Sequence, residues 1–62
     1  MSATAELHSI ATVLDELATR ITNIAEDLGP AEREALGSEL AEVERTLSSA
    51  RRRLDRALRA AP

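Results

Sequence analysis

The sequence predicts an all-α protein, an antiparallel two-helix hairpin of coiled-coil type that completes its core by pairing into a four-helix bundle as a homodimer. Three observations carry that expectation. Apolar residues recur at alternating intervals of three and four through both halves of the chain, and Gly29-Pro30 interrupts them once. The chain is also only 62 residues long with no Cys, so association is the remaining way to support a small core.

In the first half, Leu7, Ile10, Leu14, Leu17, Ile21, Ile24 and Leu28 form an unbroken heptad seam. With Leu7 at a, the neighbouring e column is Thr4, Ala11, Ala18 and Ala25, whose small side chains let a second backbone come close. Val13 at g widens the stripe on the other side, as expected for a helix with more than one neighbour. Helix one is expected over about residues 3–28.

Gly29-Pro30 forms the turn. Glycine tolerates the left-handed conformation common after a helix, and proline fits the first turn of the next one. A connection this short folds the second helix back antiparallel. Glu32 and Glu34 follow, where the helix dipole favours negative charge. Helix two is expected over about residues 31–60, with Leu36, Leu40, Val43, Leu47, Ala50, Leu54 and Ala57 on its seam and Leu58 beside it. Gly37-Ser38 is its weakest point, read as continuous helix. The whole chain, 1–62, is one domain.

Composition excludes several kinds of chemistry. Without Cys there is no disulfide, thiolate nucleophile or cysteine zinc site, and a single His rules out a multi-His metal site within one chain. His8 falls at b, away from the seam, and Glu6 two residues earlier does not face it. The acid pairs Asp15-Glu16, Glu26-Asp27 and Glu39-Glu42 lack the Glu-x-x-His spacing of di-metal bundles. Ser48-Ser49 has no His or Lys nearby to activate a hydroxyl, and Gly29 and Gly37 form no phosphate loop. No catalytic residue, metal or cofactor is expected, and the chain is read as non-enzymatic.

Charge is unevenly distributed. Residues 1–30 carry five acids against one Arg, and residues 31–50 carry five against two. Residues 51–62 reverse the balance with five Arg, at 51, 52, 53, 56 and 59, against Asp55 alone. Cations at a helix C-terminus complement its dipole. A second role is pairing between chains, because in an antiparallel contact of two second helices the Arg segment faces Glu39, Glu42 and Glu44. Within one hairpin the segment is expected opposite Thr4 to Ile10, where Glu6 is the sole acid. A third role is phosphate binding by Arg51, Arg52, Arg53, Arg56 and Arg59. Against it stand a pI near 5.0, no aromatic residue for stacking and no helix-turn-helix loop.

The expected function is therefore an oligomerisation or protein-interaction module, adaptor or regulatory, that acts through helix packing. Its interface residues are Leu14, Leu17, Ile21 and Ile24 on helix one, with Leu40, Val43, Leu47 and Leu54 on helix two. The partner is a second copy or another helical protein. The alternatives are a small nucleic-acid-binding regulator and an obligate subunit of a larger complex. No run approaches the roughly 20 apolar residues of a membrane span, and Met1 to Glu6 shows no basic-then-apolar leader, so a cytoplasmic location is the default expectation.

Overall fold

A computed structural model of the chain describes residues 2–61. Met1 and Pro62, the ends of the expected domain, lie outside it. It contains two helices, α1 (Ala3–Glu26) and α2 (Pro30–Ala60), packed against each other. Among the described residues there is no strand.

Both helices begin on local hydrogen bonds. Ser2 stands at the N-cap of α1 in extended conformation, and its hydroxyl oxygen accepts from the Ala5 N–H at 3.1 Å, satisfying one of the free donors of the first turn. At the far end of α1 the Asp27 N–H donates to Ile24 and the Leu28 N–H to Ala25, tightening the last turn to three-residue spacing. Glu26 and Asp27 are the wrong charge for a helix C-terminus. Arg33 from the next helix compensates by donating to the Leu28 carbonyl at 3.2 Å.

The turn differs from the expected one in its glycine. Gly29 has φ −71° and ψ 170°, and no glycine has a positive φ. It acts as the N-cap of α2 rather than as a left-handed stop for α1. Its N–H donates to the Glu32 carboxylate at 3.4 Å, and its carbonyl accepts from the Arg33 N–H at 2.9 Å. Pro30 occupies the first helical position, where its missing N–H costs nothing. The physical reason for the difference is that Asp27 ends α1 in a right-handed conformation, so two further residues already reverse the chain.

α2 runs unbroken through Gly37-Ser38. Its 31 residues at about 1.5 Å each account for the molecule's 49 Å length. The radius of gyration is 14.6 Å, against about 10.6 Å for a compact domain of this size. The hairpin is a rod, and a rod of two helices has almost no interior. Ala11, 3% exposed, is the one buried residue among those described.

Candidate helix-docking face

The contact between the helices uses two columns of α1. Leu7, Leu14, Ile21 and Leu28 are half-buried at a, and Ala11, Ala18 and Ala25 at e are half-buried or buried. On α2 the inward positions are Leu40, Leu47 and Leu54 together with Gly37, Glu44, Arg51 and Leu58. Of the expected interface residues, Leu14, Ile21, Leu40, Leu47 and Leu54 therefore lie in the hairpin's own seam. Leu17, Ile24 and Val43 do not. Leu58, expected beside the seam, is half-buried in it.

One flank of this seam is polar. Arg51 reaches across it, donating to the Ala11 carbonyl at 3.2 Å and hydrogen-bonding Asp15, while its Nε donates to Asp55 at 2.9 Å. Further along, the Thr22 hydroxyl, which donates to the Ala18 carbonyl at 3.0 Å, lies 3.4 Å from the Glu44 carboxylate. The bonds to Asp55 and Asp15 hold the Arg51 guanidinium above its ordinary pKa, so it stays charged. A shallow groove on this flank is lined by His8 and Thr12 of α1 and by Arg51, Asp55, Leu58 and Arg59 of α2.

This arrangement corrects the expectation that the Arg segment meets only Glu6 within the chain. Arg51 lies in the inward column, seven positions from Glu44 and from Leu58, and its long stem carries the guanidinium to Asp15. Arg52, Arg53, Arg56 and Arg59 remain exposed. The acidic environment of Arg51 was foreshadowed by Asp55 four positions later, a spacing that brings helix side chains together. Its partner Asp15 follows only from the way the two helices are aligned.

The opposite flank is apolar. Asp15 and Thr22 lie in the b column of α1, and their contacts with Arg51 and Glu44 fix which side of the seam that column faces. The d column, on the other side of the seam, holds Ile10, Leu17 and Ile24, with Val13 next to it. On α2, Asp55 marks the polar side, so Leu36, Val43, Ala50 and Ala57 share the side of Leu17. Ile10, Val13, Leu17, Ile24, Leu36 and Val43 are between 38% and 54% exposed. They lie along one side of the rod, each more than a third exposed.

Among the described residues, no group of three or more His, Asp or Glu side chains is placed to hold a metal ion. His8 is exposed. Among the described residues no helix is long and apolar enough to cross a membrane.

Fold and face together define a class, an antiparallel helical hairpin with one unpartnered apolar side. Comparisons with protein-family models, curated proteins and solved structures find no significant match to this chain.

Proposed function

We propose that the chain is a non-enzymatic oligomerisation module of the cell interior, adaptor or regulatory, which works by packing its apolar face on helices of a partner. The first candidate partner is a second copy, giving a four-helix bundle. The observation that carries this proposal is the placement of six large aliphatic side chains on one side of a rod that buries a single alanine among its described residues.

Surface area supports it. A compact monomer of 6.7 kDa exposes about 3,900 Å², whereas this chain exposes 4738 Å². The hydrophobic effect favours removing the apolar part of that surface from water. Pairing two such faces creates the second layer that a helical stripe requires.

The test is sedimentation of the full chain over a hundredfold concentration range with helicity recorded alongside. A helical dimer is expected. A weakly helical monomer would overturn self-association and assign the missing half of the core to a different protein, making this chain an obligate subunit.

The exposure of Arg52, Arg53, Arg56 and Arg59 favours a second reading, a regulator that binds nucleic acid. Salt separates the two. Phosphate binding weakens steeply between about 50 and 200 mM salt, while apolar association holds or strengthens.

A further inference from the structure

We infer that the second copy docks on the apolar face head to tail, about a two-fold axis that passes at Leu17 of α1 and between Val43 and Ala50 of α2. The inference rests on the self-association proposed above and adds its geometry.

Both apolar columns are symmetric about that axis. On α1, Ile10 and Ile24 stand seven residues to either side of Leu17. On α2, Leu36 and Ala57, like Val43 and Ala50, are equally far from the midpoint of their column. The two centres are level in the hairpin. The contacts of Arg51 with Ala11 and Asp15, and of Thr22 with Glu44, set Leu17 beside residues 45–49. One axis therefore serves both helices, as an isologous interface requires.

Reversal about this axis also matches shapes. Leu17 meets its own copy and Ile10 meets Ile24. On α2, Leu36 lies over Ala57 and Val43 over Ala50, so large side chains face small ones, the arrangement that fills an interhelical layer without voids. Every helix is then antiparallel to both of its neighbours.

Charge selects the same orientation. Residues 16–45, the half of the rod that contains the turn, carry eight acids and three Arg. The rest of the chain carries three acids and five Arg, so the rod is −5 at one half and +2 at the other. Head-to-tail docking sets unlike halves together, and the same-way arrangement sets like halves together. At residue level, Glu39 and Arg53 lie on the outer edge of the α2 column, and reversal brings Arg53 of the second copy to Glu39. Glu6 meets Asp27 of the second copy, a like-charge contact confined to the exposed ends of the rod and screened by salt. The rod is 49 Å long and 17 Å broad, so its full outline, roughly 830 Å², is an upper bound on the face and is of the order of the ~800 Å² that each partner gives to a standard interface.

The chain has no Cys, so Ala31→Cys gives a single site for a spin label at the exposed turn end. Dipolar distance measurement on the full chain, with mass checked by sedimentation in the same buffer, tests the orientation. A dimer with labels on the order of 45 Å apart is expected, since each label lies about 15 residues of helix from the axis. A dimer with labels within roughly 20 Å, the breadth of a bundle, overturns the head-to-tail arrangement and leaves self-association standing. A monomer at every concentration overturns both. Arg53→Glu and Glu39→Arg are each expected to raise the dimer Kd by roughly two- to tenfold and to restore it when combined. Absence of rescue in the double variant rejects that pairing.

Discussion

Arg51 of α2 hydrogen-bonds Asp15 of α1, thirty-six positions earlier, and holds Asp55 of its own helix with the same guanidinium. One side chain thereby clamps the helices on the polar flank and leaves the apolar flank on the opposite side. Arg51→Met, which keeps the stem and removes the charge, is expected to lower the melting temperature of the full chain. Arg51→Lys is expected to recover little, because an ammonium on a single point cannot serve two carboxylates and a carbonyl as the planar fork does. Thermal melts of the three proteins at one concentration check this.

The same clamp has a pH signature. The folded state holds the Arg51 pKa above its unfolded value, through Asp55 first and Asp15 second. A raised pKa contributes stability that is fully present below the unfolded value and is lost only as pH rises through the folded one. Both lie far on the alkaline side. The stability difference between the native chain and Arg51→Met, measured by denaturant titration, is therefore expected to stay constant from about pH 6 to 9.

Leu14 and Leu17 separate the hairpin's own packing from the proposed association. Leu14 is half-buried between α1 and α2, whereas Leu17 is 38% exposed on the apolar face. Leu14→Ala removes packing within one chain and is expected to cost about 1–3 kcal/mol, below the full-burial range because the site is only partly enclosed. Leu17→Gln is expected to weaken association severalfold with little loss of helicity at high concentration. Sedimentation and circular dichroism on the two variants distinguish these effects. Equal behaviour of the pair would contradict the division of the stripe into inner and outer columns.

Gly37 sits on the inner side of α2, yet it is not required there. A Cβ at that position meets only Arg33 Cγ, at 3.6 Å, an ordinary contact. Gly37→Ala is therefore expected to stabilise the chain by about 0.5–1 kcal/mol, the backbone-entropy difference between the two residues within a helix. A denaturant midpoint that falls instead would mean that the assembled bundle needs the space.

Ser2→Ala removes the hydroxyl that accepts from Ala5. The expected loss is about 0.5–1 kcal/mol, the low end of the capping range, because the hydrogen bond is exposed to solvent. Hydrogen exchange at Ala5 should rise with it.

Much of this architecture follows from local chemistry alone. Ser2 caps α1, the Gly29-Pro30 pair separates the helices, and seven-residue spacing continues through α2 to Leu54 and Ala57. The turn conformation was less legible. A glycine after a helix suggests a left-handed stop, but Gly29 serves the following helix because Asp27 has already closed the preceding one.

The sequence by itself determined that α1 has three adjacent apolar columns, a, d and e, and that α2 has a matching stripe. It did not determine which columns meet. Packing decided that the a and e columns turn inward, with Ala11, Ala18 and Ala25 against α2, and that Ile10, Leu17 and Ile24 turn out. The physical reason is size and charge together. Small e side chains admit a closely approaching helix, and Arg51 can reach Asp15 and the Ala11 carbonyl only when that edge faces α2. The broad d side chains are then left exposed along one side of the rod, the face on which the proposed second copy docks.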